Sequence, residues 1–203
     1  MVKRNILFSL FVFLIGNVFA DGGKLFLSWK DFLEGNAESI PDLQIEKRGG
    51  TKMVMHGGGD YRFSTKNKWM THRVKDYPLF VMMNDTLFLN CGKIKYRGTP
   101  FGPWYAECMV IDSLIYFSAV SLDKSDRGVG GVLGSARQNR SRVFYRLNPS
   151  NGDMKIIRKG DVSVLFERFP DLKKAYEAEI KPESADVMKQ YLYEVRDISL
   201  SPK

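Results

Sequence analysis

Between residues 43 and 157 apolar and polar side chains alternate in short runs, the period of two that predicts half-buried strands. Leu43-Gln44-Ile45-Glu46 opens the pattern, Gly49-Gly50 turns the chain, and Lys52-Met53-Val54-Met55 resumes it. His56-Gly57-Gly58-Gly59-Asp60 reads as a second turn. Strands are then expected at Tyr61-Arg62-Phe63-Ser64 and at Trp69-Met70-Thr71-His72. Residues 79–83 and 86–90 are nearly continuous apolar runs around Asn84-Asp85, two residues that tolerate positive φ. That pattern predicts a tight hairpin covered on both faces. A second hairpin is expected from residues 104–111 and 114–120 around Asp112-Ser113. A third is expected from residues 142–147 and 153–157 around Asn148-Pro149-Ser150-Asn151-Gly152.

Beyond residue 160 the apolar spacing lengthens to every fourth residue: Leu172, Tyr176 and Ile180, then Val187, Tyr191 and Val195. This predicts amphipathic helices. Asp161 is placed to cap residues 162–169, Pro170-Asp171 to restart a helix over 172–180, and Pro182-Glu183 to precede one over 184–195. Near the start, residues 21–23 read as a flexible lead, and Ser28 as the N-cap of a short helix at 29–34 that Gly35-Asn36 ends. The expected fold is α+β: an antiparallel β-rich core, either one sheet or sandwich-like, over about 43–157. A short N-terminal helix and a helical tail over about 161–195 complete it.

The first twenty residues fall outside that plan. Lys3 and Arg4 precede an apolar run over 6–15, and Val18-Phe19-Ala20 fits a cleavage site, so residues 1–20 read as an export signal too short to span a bilayer. Residues 21–203 then form one exported domain, placed in the periplasm, at the cell surface or outside the cell. Losing Lys3 and Arg4 lowers the basic count from 31 to 29 against 23 acids, a mature charge of +6. Such a charge suits solubility and also an anionic partner, either a glycan or a membrane surface. Cys91 and Cys108 are the only cysteines. Export permits a disulfide between them, and two buried strand thiols fit the sequence equally well. With two histidines and no close ligand pair, no metal site is expected.

Residues 126–142 carry the densest cluster of small and basic residues, with Gly128, Gly130, Gly131 and Gly134 followed by Arg137, Arg140 and Arg142. The segment fails the phosphate-loop pattern because no lysine follows Gly134, and it fails the dinucleotide pattern because Leu133 stands in place of the third glycine. No cofactor is expected. It reads as a connector between the β core and the last hairpin. Gly130, Gly131, Gly134, Arg137, Arg140 and Arg142 remain the candidate ligand contacts, since planar guanidinium donors suit carboxylate, sulfate or phosphate.

No catalytic constellation emerges. His56-Gly57-Gly58-Gly59 matches an oxyanion loop, but no G-x-S-x-G elbow accompanies it. A cysteine paired with His56 or His72, or a carboxylate pair such as Glu107 and Asp112, needs assembly in space. Phe144 and Tyr145 are expected on opposite faces of a strand, which disfavours nucleic-acid stacking.

The order of features resembles a family of exported Bacteroidetes proteins of unknown function. The resemblance rests on residues 84–91 (Asn84-Asp85-Thr86-Leu87-Phe88-Leu89-Asn90-Cys91), Trp104-Tyr105-Ala106, Ile115-Tyr116-Phe117-Ser118-Ala119 and Phe144-Tyr145-Arg146-Leu147. It also takes in a tail with Phe169-Pro170-Asp171-Leu172 and Val187-Met188-Lys189-Gln190-Tyr191-Leu192. It implies a small β-rich exported protein with C-terminal helices and no assigned activity. It further implies that Asp85-Thr86-Leu87 and Asp112-Ser113-Leu114 are O-glycosylation patterns, at Thr86 and Ser113. The functional expectation is a non-enzymatic protein binding a ligand or protein partner, an anionic glycan or envelope component among them. The alternative is a cell-envelope or glycan hydrolase whose site forms only in the fold.

Overall fold

The computed structural model describes residues 22–49, 58–123 and 142–200. The strand expected at 52–55 and the export signal expected at 1–20 lie outside these. The fold is α+β. Its centre is a ten-stranded antiparallel sheet built from β1 (Gly23–Phe26), β2 (Glu38–Ile40), β3 (Gln44–Lys47), β4 (Tyr61–Ser64), β5 (Phe80–Met83), β6 (Thr86–Asn90), β9 (Tyr105–Ile111), β10 (Leu114–Val120), β11 (Arg142–Leu147) and β12 (Met154–Ile156). The main path runs β12-β11-β10-β9-β6-β5-β1-β2, while β4 joins β9 from the side and β3 pairs with β4. A small ribbon, β7 (Lys95–Tyr96) with β8 (Thr99–Pro100), stands apart.

Local sequence sets the two central hairpins. Asn84 and Asp85 have φ of 50° and 57°, and Asp112 and Ser113 have 50° and 62°. Positive φ at both central residues matches the right-handed twist of the strands that they join. Two readings need correction. Gly23 begins a strand rather than a flexible lead, because Leu25 and Phe26 enter the core between β2 and β5. The Trp69-Met70-Thr71-His72 stretch is helical, within α2 (Lys68–Asp76). The Asn67 side chain accepts hydrogen bonds from the amides of Trp69 and Met70 at 2.9 and 3.3 Å, and such capping outweighs a short alternation.

Three apolar clusters hold the sheet. The first lies on one face, where Phe80, Leu89, Cys108, Phe117 and Tyr145 pack with Phe101 and Tyr96 from the connecting segment. Trp29 and Phe32 of α1 (Trp29–Glu34) cover its edge; Ser28 caps that helix and Gly35, at φ 71°, ends it. The other face carries two separate coverings. Over the N-terminal strands Leu43, Phe63, Val74, Val81, Phe88 and Tyr105 form one. Over β9–β11 the second gathers Met109, Ile111, Tyr116 and Phe144 under α3 (Lys159–Leu165), α4 (Pro170–Glu177) and α5 (Ala185–Leu200). On α5 the inward positions are Met188, Tyr191, Leu192 and Val195, the spacing of one helical face. The helical tail departs from expectation in two details. Asp161 sits inside α3, its carboxylate bonding back to the Arg158 amide at 2.9 Å. Ile180 lies beyond the end of α4 and is 94% exposed. Among the described residues no helix is long and apolar enough to cross a membrane.

Cys91 and Cys108 are free thiols rather than a disulfide, both sealed in the first cluster. Burial raises the Cys91 thiol to about 12 and pushes Cys108 well above its ordinary value. Both are therefore neutral and shielded. Native protein treated with DTNB should release no thiolate on the mixing timescale, and both thiols should titrate once guanidinium unfolds the chain. Immediate native reaction, or fewer than two thiols after unfolding, would contradict this arrangement.

Candidate functional site

β9 is shared unequally by its neighbours. One edge carries β6, from Tyr105↔Asn90 to Cys108↔Leu87. On the other edge β10 pairs only through Leu114–Phe117, and β4 takes the opposite end at Tyr61↔Tyr105. The sheet thus forks: β10 leaves β9 after Phe117 and continues with β11, while β4 lies against the vacated length. α5 crosses the fork. The space between is a cleft of about 140 Å³, lined by Lys47, Asp60, Tyr61, Glu107, Arg142 and Lys189 among others.

Glu107 is the centre of this cleft. Alternation along β9 places Tyr105, Glu107 and Met109 on one face. Tyr105 belongs to the N-terminal covering and Met109 to the helical one, so Glu107 stands where the two meet. Its carboxylate accepts from Lys189 Nζ at 2.7 Å, from the Tyr193 hydroxyl, and from the Tyr61 hydroxyl at 3.4 Å. Lys189 and Tyr193 are one helical turn apart on α5, which aims both at the same acceptor. Burial alone would raise the carboxyl, but the bonds from Lys189, Tyr193 and Tyr61 outweigh it and hold Glu107 below the ordinary carboxylate value. Burial and the adjacent carboxylate push the Tyr61 and Tyr193 phenols up. Glu107 is therefore ionised at neutral pH, and both tyrosines donate.

A second charged group closes the β4 side. Arg142 reaches Asp60 through Nη2 at 2.5 Å and through Nε at 3.2 and 3.3 Å to its two oxygens. Arg48 lies completely buried, donates to the Gly59 carbonyl, and holds its guanidinium 4.8 Å from the Trp104 ring centroid and 3.7 Å from Asp60. Gly59 is required here, since a Cβ would stand 2.0 Å from the Tyr105 carbonyl oxygen. Gly58 takes φ 93°, so the described part of the His56-Gly57-Gly58-Gly59 stretch serves a turn and a close backbone approach.

The other sequence candidates are dispersed. Gly130, Gly131, Gly134, Arg137 and Arg140 lie outside the described residues, as do His56 and Gly57. Arg142, expected on a basic flank, instead faces inward at 11% exposure and binds Asp60. His72 is exposed on α2 and pairs with Asp76 at 2.5 Å, while Cys91 is buried in the first cluster. Asp112 sits in the β9–β10 turn paired with Arg168 at 2.5 Å. That turn is roughly 16 Å of extended chain from Glu107 at about 3.3 Å per residue, beyond the spacing of glycosidase acids. Ser113 is exposed and Thr86 half-buried at their turns. Among the described residues no three His, Cys, Asp or Glu side chains are grouped to hold a metal. Sequence inspection singled out Glu107 but missed Tyr61, Lys189 and Tyr193. The only signal available was the Lys189/Tyr193 spacing on a predicted helix.

A family model described as a family of unknown function matches residues 24–199. The chain belongs to that family, DUF6563. Neither a curated protein nor a solved structure matches the chain. The DUF6563 match runs from β1 into the end of α5, so the fork and the helix that crosses it both fall within the family's extent.

The Glu107 cluster of this DUF6563 protein makes stability depend on acid. A carboxyl depressed in the folded state contributes fully above its unfolded value, about 4.3. The contribution is lost as pH falls through the folded value. Glu107→Gln should cost about 2 kcal/mol at pH 7. Urea unfolding at pH 7 and pH 3 should show a smaller acid-induced loss in that variant than in the wild type. Equal losses would remove Glu107 as the acid-sensitive group.

Proposed function

We propose that this DUF6563 protein is exported to the periplasm or cell surface, as in the Bacteroidetes proteins that it resembles, and binds an anionic ligand there without chemical turnover. Lys3, Arg4 and the apolar run over 6–15 support the export. The contact region is the mouth of the fork. The observation that carries this reading is the state of Glu107, ionised and clamped by three donors within the fold. With that acid satisfied internally, Lys47 is left to meet an incoming molecule at the mouth of the cleft, where Asp186 also lines the space. Lys47 is exposed there, 5.9 Å over the Tyr61 ring, and makes no ion pair among the described residues. Arg142, the described end of the arginine-rich segment, lines the same space.

Size narrows the ligand. A cleft of about 140 Å³ is well below the roughly 300–1,000 Å³ that encloses a whole small molecule. It suits one sulfate or carboxylate group of a longer glycan or envelope polymer. The hydrolase alternative requires a carboxylic acid still protonated near neutral pH. Glu107 is shifted in the opposite direction.

Calorimetric titration with a sulfated polysaccharide tests the proposal. Wild-type protein should bind it, and added salt should weaken the interaction. Lys47→Glu should lower affinity by at least about threefold with the melting curve unchanged. Absence of binding, or unchanged affinity in the variant, would overturn the proposal.

A further inference from the structure

The exposed face of α2 has a different character from the fork. Trp69 is 67% exposed and Tyr77 63% exposed, although both are large aromatics. They bracket His72 and Arg73, and the four residues line a groove of about 410 Å³. At about 1.5 Å of rise per residue the backbone positions of Trp69 and of Tyr77, the C-cap of α2, are about 12 Å apart along the helix axis. The groove is built rather than loose. The Arg73 guanidinium lies 5.9 Å from the Trp69 ring centroid and is fixed by two bonds to Glu38 on β2, at 2.7 and 2.6 Å. His72 is fixed by Asp76. At the Tyr77 end, Lys93 Nζ stands 6.0 Å over the ring. Beside it a second hollow of about 290 Å³ is lined by Lys75, Asp76 and Lys93.

Three arguments identify the occupant. First, two flat apolar rings separated by planar nitrogen donors match a pyranose chain, which has apolar C–H faces and hydroxyl edges. Second, a nine-residue helix face is about 13 Å by 10 Å, on the order of 130 Å². A stable protein interface needs about 800 Å² from each partner, so this face is too small to be one by itself. Third, Lys75 and Lys93 are both exposed and make no ion pair among the described residues. Lys93 stands over the Tyr77 ring and Lys75 lines the adjoining hollow with Lys93 and Asp76, which leaves a net positive charge next to the Tyr77 end of the groove.

We propose that the Trp69–Tyr77 face of α2 binds a short acidic oligosaccharide, its sugar rings stacked on Trp69 and Tyr77 and a carboxylate directed to Lys75 and Lys93. This is a second site, and it does not rest on the reading of the fork.

The test titrates the full mature chain with a trisaccharide of uronic acid and with a neutral glucose trisaccharide, followed by calorimetry. The acidic probe should bind more tightly than the neutral one. Trp69→Ala and Tyr77→Ala should each lower affinity by about tenfold without moving the thermal midpoint, since both side chains are exposed. Lys75→Ala with Lys93→Ala should remove the preference for the acidic probe while leaving the neutral one unaffected. In a Lys47→Glu background, which removes the fork's contact, the acidic probe should still bind and should still lose affinity on Trp69→Ala, which separates this site from the fork. Failure of the wild type to bind either trisaccharide would overturn the proposal, as would retained affinity in Trp69→Ala. So would a concentration-dependent dimer that Trp69→Ala dissolves, because the face would then belong to a second copy of the chain.

Discussion

A carboxylate placed on a strand between two apolar layers costs several kcal/mol unless donors meet it. At Glu107 the donors come from both layers. Tyr61 belongs to β4 and the N-terminal covering, whereas Lys189 and Tyr193 belong to α5 and the helical one. Neither covering alone satisfies the charge. The sheet's far face can therefore be covered by two independent units only if they dock at the same strand position. Once docked, they leave a cleft at the fork whose polarity is set by this one acid. Asp60 and Arg142 repeat the logic on the β4 side, tying the first residue of β11 to the turn that leads into β4.

The fork also explains why the region joins polar chemistry to an otherwise apolar core. On the opposite face the first cluster is continuous from Phe26 to Ile156, and its two cysteines are shielded apolar groups. There the sheet behaves as a single surface. The break exists only where β10 leaves β9, and the charged residues gather at that break. The cleft at the fork and the groove along α2 both lie on the face that carries the two coverings.

What was legible in the sequence follows from the range of the interactions. The Asn84-Asp85 and Asp112-Ser113 hairpins are local, and turn residues flanked by apolar runs are sufficient to find them. The C-terminal helices announce themselves by spacing, although the end of α4 was misplaced because Ile180 continues the spacing past the last helical turn. α2 was misread because Trp69-Met70-Thr71-His72 alternates over four residues. Met70 and Val74, one turn apart, and the cap at Asn67 were the better signal. β1 was missed because Gly22-Gly23 resembles a loose start and its partners, Ile40 and Met82, are distant in the chain. The Glu107 cluster was not legible as a cluster. Its donors lie 46, 82 and 86 residues from it, and no spacing rule spans such separations.

The central claim is that Glu107 couples the two coverings. Native-state hydrogen exchange on wild type and Glu107→Ala measures it directly, because protection reports local opening segment by segment. The coupling predicts that amides of α5 and of β4 lose protection together in the variant, while those of β5 and β6 keep theirs. Loss confined to α5, with β4 fully protected, would contradict it.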